Sequence, residues 1–435
     1  MKKVIIGLIV ILCFCNYVNI CHADSYTNIR PSTSPPNQNI RDLKDLDNKI
    51  KRGSNKDVLL LLAISGGGSR AAYFGASVML ALQREGILDH VDVISAVSGG
   101  NLPAAYYAIS NDTEWNETKV KEIMGDDIKK AAKSKYYWHV INPYAHGTRS
   151  DIMAEVFDEK IFQKKKFKDV NPERPYLIIN ATVGTEDNND YSLGDVFAFT
   201  SEDFKKLDSN IYEYSIASAI MASSAYPGAF DYVLLRDWTK KDQEFLHLFD
   251  GGNADNLGLE KVKDIIKNQC NRYKSIIVIL IDAHKAAEGE RKNNPNPTGA
   301  IDRIVDFNFL DSFDIMLDDK RDYMIMEFKT SNLDSTPYNN LIFWHITFDD
   351  KRLVNEKCGG KPIQEILNKI PTDLQITVVN KKCIDQAVNS LISENNKCLT
   401  GIKQILQKTD DTHLTKVQND CRNEGKPLEE LIYIY

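Results

Sequence analysis

Ser98 stands in Ala96-Val97-Ser98-Gly99-Gly100, and that setting suits a nucleophile. A serine on a sharp strand-to-helix turn is pushed clear of the backbone, and its neighbours must be small because the turn crowds them. Ala96, Gly99 and Gly100 meet that demand. The chemistry is acyl transfer: attack on an ester carbonyl, through a tetrahedral oxyanion that backbone amides stabilise. Ser65-Gly66-Gly67-Gly68-Ser69-Arg70 offers a glycine turn ahead of a helix, where N–H groups favour negative charge. Gly66, Gly67 and Gly68 are therefore the candidate oxyanion hole.

The serine needs a base. A serine–histidine–aspartate site requires a histidine beside the hydroxyl, and the candidates after the N-terminal segment are His90, His139, His146, His247, His284, His345 and His413. His247 alternates with Leu246 and Leu248 and reads as a half-buried strand residue. His284 lies just past a strand end, a location that suits catalysis. Asp250-Gly251-Gly252 is the stronger candidate: it follows a predicted strand, and its glycines allow close backbone approach. An aspartate that takes the serine proton directly makes a two-member site. Alone, Asp-Gly reads as a turn; beside the other two motifs it reads as a base.

These residues sit at the ends of predicted strands. Val58–Ile64 is an unbroken apolar run, as expected of a parallel strand buried on both faces. Arg70–Glu85 then spaces Ala71, Phe74, Val78, Met79 and Leu82 as a helix. A second strand, 91–97, runs into Ser98, and Leu102–Ile109 predicts another helix. Further strands are predicted at 175–182, 245–249, 275–281 and 341–348, with a turn at 187–190 and helices at 215–223, 384–392 and, as one or two, within 304–326. The fold class is α/β, with a mostly parallel central sheet between helical layers.

In this order, Ser65–Ala71, Ala96–Gly100 and Asp250–Gly252 resemble the three signatures of the patatin-like phospholipase family. Asn180-Ala181-Thr182 and Ala222–Gly228 are secondary echoes, and the match runs over about 58–282. Ile370-Pro371-Thr372 and the helix after it resemble the ending of some bacterial members. The resemblance implies a three-layer α/β/α fold, Ser98 as nucleophile, Asp250 as base and Gly67 and Gly68 as oxyanion amides, with Gly66 shaping the loop. It gives supporting places to Gly100, Gly251, Gly252 and Arg70, the last steadying the loop or meeting a phosphate. It implies a lipid acyl hydrolase of phospholipase A or lysophospholipase type, with no metal or other cofactor. Acyltransferase and general esterase share the first half-reaction and remain alternatives. Ala96 departs from the usual glycine, Ser65 from aspartate or glycine and Ala71 from glycine; these bear on substrate positioning and remove no catalytic group.

Two other classes compete. Gly66–Ala71 also satisfies a dinucleotide-binding glycine pattern, but that fold wants an acid at the end of the second strand, and Asp89 and Asp92 stand at its beginning. An exported, non-catalytic α/β binding protein is the other, against which intact Ser98 and Asp250 argue.

Lys2 and Lys3, apolar Val4–Cys15 and a small-residue site ending at Ala23 predict a cleaved export signal over 1–23. Its removal takes the formal charge from −7 to −9, which disfavours nucleic acid as a partner. The expected partners are a phospholipid or other acyl ester and, transiently, a membrane surface; the expected location is periplasmic or secreted. Residues 24–56 are a polar, Pro/Ser-containing linker, 57–285 the patatin-like catalytic core, with 286–296 a loop, and 286–435 a helical extension packed on it. Cys358, Cys383, Cys398 and Cys421 suit two disulfides in an oxidising space, in a pairing the spacing leaves open, with Cys270 left over and buried.

Overall fold

The structure, a computed structural model, describes residues 28–30, 57–142, 147–185, 190–242, 244–284, 308–330, 339–407, 414–425, 427 and 429; side chains in 308–317 are not described. The expected signal over 1–23, the loop at 286–296, most of the turn at 187–190, His146 and His413 lie outside them.

One eight-stranded sheet organises the chain. Its strands are β1 (Val58–Ile64), β2 (Val93–Val97), β3 (Tyr176–Val183), β4 (Val196–Phe199), β5 (Val233–Asp237), β6 (Glu244–Phe249), β7 (Ser275–Asp282) and β8 (Leu341–Thr347). The order is β5-β6-β3-β2-β1-β7-β8, with β4 also paired to β3. Strands β3, β2, β1, β7 and β8 are parallel, whereas β4, β5 and β6 run antiparallel to their neighbours.

The apolar run of β1 is explained by its two faces. Leu60, Leu62 and Ile64 enter one core with the helices Gly68–Arg84, Asn101–Ile109, Ile216–Ser223, Val378–Leu391 and Lys397–Gln407. Leu59, Leu61 and Ala63 enter the other, against Leu259–Gln269 and Asn308–Thr330. Successive strand side chains point to opposite faces, so a middle strand must be apolar throughout. The result is the expected three-layer α/β/α arrangement. The helix Gly68–Arg84 is buried along nearly its whole length, because it lies between the sheet and Val378–Leu391, to which Tyr73 and Ser77 bond through Asp385 at 3.1 and 2.9 Å.

The structure differs from expectation at three places. The segment after 286 is more than a helical extension, since β8 joins the main sheet beside β7. The strand before Asp250 is antiparallel and only half buried, so it is unlike the parallel strand ends at which α/β sites are usually built. Within the expected linker, Asn28 bonds the backbone of Arg236 at 2.9 and 2.6 Å, and Ile29 bridges Asn210, so residues 28–30 dock on the core. Of the region 304–326, expected to form one or two helices, the described residues 308–326 lie in one helix, Asn308–Thr330.

The cysteines pair as Cys358–Cys383 and Cys398–Cys421, and Cys270 is free and buried. Both bridges staple helices of one outer layer to nearby segments. Each closes a loop of modest length, 25 and 23 residues apart in sequence. Replacing either pair with serine should lower unfolding free energy by about 2–4 kcal/mol, read as the urea midpoint against the unaltered chain.

Candidate active site

Parallel register brings the two turns together. Ile64 pairs with Ala96 across β1 and β2, so the chain leaves both strands at the same level. Ser65–Gly68 then lies beside Ser98–Gly100. A Cβ on Gly99 would stand 2.1 Å from Gly68 O, and one on Gly100 2.5 Å from Ser65 O. Both positions require glycine because two backbones meet there. Ser98 itself has φ +48°, a left-handed conformation that costs a non-glycine residue about 1–3 kcal/mol. Such strain is tolerated where surroundings over-determine the turn, as at a nucleophile elbow.

Those surroundings are polar and specific. Ser98 N–H donates to Ser223 Oγ at 2.9 Å, and Asn101 Nδ2 donates to the same oxygen at 2.9 Å. Ser223 Oγ in turn donates to Asn180 O. Asn180 Nδ2 donates to Ser95 Oγ and Ala96 O, at 2.9 and 3.0 Å. The sequence motifs containing Asn180 and Ser223 therefore meet under the elbow, a role that their spacing did not reveal.

The Ser98 hydroxyl donates to Asp250 Oδ2 at 3.0 Å. Gly252 N–H donates to Asp250 Oδ1 at 2.8 Å, and Thr182 Oγ1 donates to Asp250 O at 2.7 Å. The carboxylate is thus fixed on one oxygen and presented on the other. Gly251 leaves no room for a side chain, since a Cβ there would lie 2.2 Å from Asn180 O. Asp250 is buried, and burial raises its pKa to about 6, against the opposing bonds from Gly252 and Ser98.

The three glycines of the loop are not equivalent. Gly66 N–H is already bonded to Asn256 O at 2.9 Å, which takes it out of the candidate oxyanion donors. Among the described residues no hydrogen bond engages the Gly67 or Gly68 amide. Both have positive φ, +133° and +58°, and Gly67 forms the N-cap of the helix Gly68–Arg84 without a side-chain cap. Two unused N–H groups at an uncapped helix start make an anion-favouring corner. The segment around Asp373 roofs it: Ser69 N–H donates to Asp373 O at 2.8 Å, and a Cβ on Gly68 would come 2.6 Å from that oxygen.

Arg70 does not face a ligand. It is 4% exposed, and its guanidinium donates to Ala283 O and Ile370 O at 2.8 and 2.7 Å. Burial pulls its pKa down to about 10, with Asp282 opposing. Of the two expected uses of Arg70, steadying the loop is the one this geometry serves. Next to it, Asp282 accepts from Arg321 and lies 2.9 Å from His345 Nε2, all three buried. Burial disfavours the Asp282 charge, but Arg321 and His345 outweigh it and hold the carboxyl far below its usual range. This ionic group was not foreseen, because its members come from β7, β8 and a helix far apart in sequence.

The histidines lie elsewhere. His284 faces Asp318 at 3.5 Å, and His247 stacks on Tyr232 with ring centroids 4.3 Å apart. His345 is buried, and burial lowers its pKa to about 4. Asp92 stands at the beginning of β2, away from the strand end where the dinucleotide reading wants its acid; it is buried and accepts Leu60 N–H at 2.8 Å. Among the described residues no group of three or more His, Cys, Asp or Glu side chains is arranged to hold a metal, and no helix is long and apolar enough to cross a membrane.

Compared with known families, residues 62–262 match the model described as patatin-like phospholipase. Among solved structures, the chain is similar to human GIVD cytosolic phospholipase A2 in complex with a fluorophosphonate inhibitor and terbium, at 13% identity and TM-score 0.43 over 87% of this chain and 62% of that one. It is also similar to VipD from Legionella pneumophila, at 12% identity and TM-score 0.31 over 83% and 73%. For ExoU with SpcU from Pseudomonas aeruginosa the values are 16% and 0.23, over 47% of each chain. The chain spans 48% and 62% of the length of the two human phospholipase structures that lead these matches. A search of curated protein sequences gives no significant match.

Ser223→Ala would strip an acceptor from Ser98 N–H and Asn101 and a donor from Asn180. Leaving such groups unpaired in a buried setting costs about 1–3 kcal/mol. Urea unfolding should show that loss, and an unchanged midpoint would mean that Ser223 does not brace the turn.

Proposed function

Residues 62–262 form a patatin-like phospholipase domain, a lipid-hydrolase family, and from that premise we propose that the chain is an acyl-ester hydrolase working through Ser98 and Asp250. The observation that carries the reading is the strained Ser98, φ +48°, with its hydroxyl 3.0 Å from a buried carboxylate. Asp250 takes the hydroxyl proton as Ser98 Oγ attacks the ester carbonyl. The carbonyl oxygen becomes an oxyanion beside the amides of Gly67 and Gly68, aided by the helix start. The C–O bond to the leaving alcohol breaks, and Asp250 returns the proton to that alcohol. Water then attacks the acyl-serine with Asp250 as base, releasing the fatty acid and restoring Ser98.

A base must be ionised and yet basic enough to accept a proton. An ordinary aspartate is a poor base near neutral pH; burial improves this one by raising its pKa to about 6. Glycerophospholipids and lysophospholipids are the substrates proposed. Export is part of the same reading, supported by the N-terminal pattern and by two disulfides suited to an oxidising space.

Fatty-acid release from mixed phospholipid and lysophospholipid micelles tests the mechanism. Ser98→Ala should abolish release and labelling by a serine-directed phosphonate. Asp250→Asn should lower kcat/KM by about 10²–10⁴-fold, with a urea midpoint unchanged or raised, because a buried charge has been removed. In the unaltered protein, kcat/KM should fall below about pH 6 as Asp250 protonates, and full activity of Asp250→Asn would remove it from the mechanism. For export, the mass of protein recovered from the producing cell's exterior or periplasm should correspond to a chain beginning at Asp24.

A further inference from the structure

The helix Ile128–Ile141 exposes side chains that a surface helix normally buries. Of its residues only Ile128 is buried, while Ala131 and Ala132 rest partly against the core. Toward its end Tyr136, Tyr137, Trp138, Val140 and Ile141 are 45%, 68%, 57%, 57% and 58% exposed. A soluble surface seldom shows so concentrated an apolar patch without a use for it. Lysines continue the same face: Lys130, Lys133, Tyr137 and Ile141 follow at intervals of three and four, and both lysines are exposed. Lys135, on another side, is paired with Glu155 and Glu159.

The patch lies at the site's end of the sheet. Seven residues join its last turn to Arg149, the first residue of the next helix, which packs on this one. Arg149 is held 3.3 Å from Asp231, and Ser150 donates to Asp231 O. Asp231 precedes Tyr232, 44% exposed, whose ring lies 5.9 Å from that of Phe249, the neighbour of Asp250. The apolar turn and the Ser98–Asp250 pair therefore share one end of the molecule.

We propose that this helix face docks the protein on an anionic lipid bilayer, with Tyr137, Trp138 and Ile141 entering the interface and Lys130 and Lys133 facing acidic headgroups. Aromatic rings with one polar edge favour that depth, and lysines near an acidic surface add attraction screened by salt. Charge selects the occupant: a local cationic-aromatic stripe on a chain of net charge −7 complements a negative lipid surface. The inference rests on the proposed lipid substrate, because docking there presents Ser98 to an ester held in a bilayer.

The test uses the full chain carrying Ser98→Ala, so that binding is read without turnover. Flotation is measured with vesicles of phosphatidylcholine alone and with phosphatidylglycerol added. Lys130→Gln with Lys133→Gln should weaken binding to the phosphatidylglycerol vesicles about twentyfold and leave binding to phosphatidylcholine unchanged. Tyr137→Ser with Trp138→Ser should weaken both by about tenfold or more. With Ser98 restored, both pairs should retain hydrolysis of a water-soluble short-acyl ester while losing release from vesicles. Equal flotation of all variants overturns the proposal. So does a sedimentation change from dimer to monomer in the aromatic variant with flotation unchanged, which assigns the face to a second copy. If unaltered Ser98 protein leaves the soluble ester intact, the catalytic reading fails, and flotation still decides the docking surface.

Discussion

The close approach of two backbone turns is the constraint on which the rest depends. Gly68 O and the Cα of Gly99 are so near that a methyl group between them is impossible. That approach exists only because β1 and β2 are parallel neighbours in register, with Ile64 opposite Ala96. A one-residue slip would send the alternate side chains of β1 to the wrong core and separate the turns. The hydrophobic effect, acting on Leu59–Ile64 from both faces, therefore sets the geometry of the site as well as the stability of the sheet.

Residues far beyond the family match complete the arrangement. The match ends at 262, yet Arg70 is anchored by Ala283 O and Ile370 O, and Ser69 by Asp373 O. The buried Asp282–Arg321–His345 group lies immediately behind, joining β7, β8 and the helix Asn308–Thr330. Breaking one partner of such a group leaves an uncompensated charge in a dry place. The glycine loop is consequently braced by residues between Asp282 and Asp373, and among the described residues no hydrogen bond engages the Gly67 and Gly68 amides, whereas Gly66 N–H is held by Asn256 O.

Much of this geometry was legible in the sequence because its backbone demands are local. A serine between small residues, a glycine run after an apolar strand and an Asp-Gly-Gly turn are each a few residues long, and their backbone demands can be read without the fold. The central strands were legible for the same reason: Val58–Ile64 and Ser275–Ile281 are apolar throughout, as two-sided burial requires. What could not be read is pairing. Strand β6 looked like the others in length, but its direction and half-burial follow from its neighbours. The cysteine connectivity, the position of Ser223 beneath Ser98 and the binding of Gly66 by Asn256 all depend on contacts between distant segments. Arg70 was open to two uses because a guanidinium serves carbonyls and phosphates alike; its burial decides between them.

Two buried aspartates make the last point. Asp250 and Asp282 both lie in the site's region of the sheet, and burial opposes ionisation of both. Asp282 has Arg321 and His345 against it, so its charge is fixed and its proton affinity is spent on structure. Asp250 meets one backbone amide and one hydroxyl, with no cation among the causes that shift it. The same side chain is thereby given opposite proton affinities by its partners. A cation beside Asp250 would stabilise the carboxylate and make it a weaker base toward Ser98. Among the described residues Arg321 bonds Asp282 and no cation bonds Asp250, which is the electrostatic difference between a carboxylate suited to exchange a proton and one suited to hold helices to a sheet.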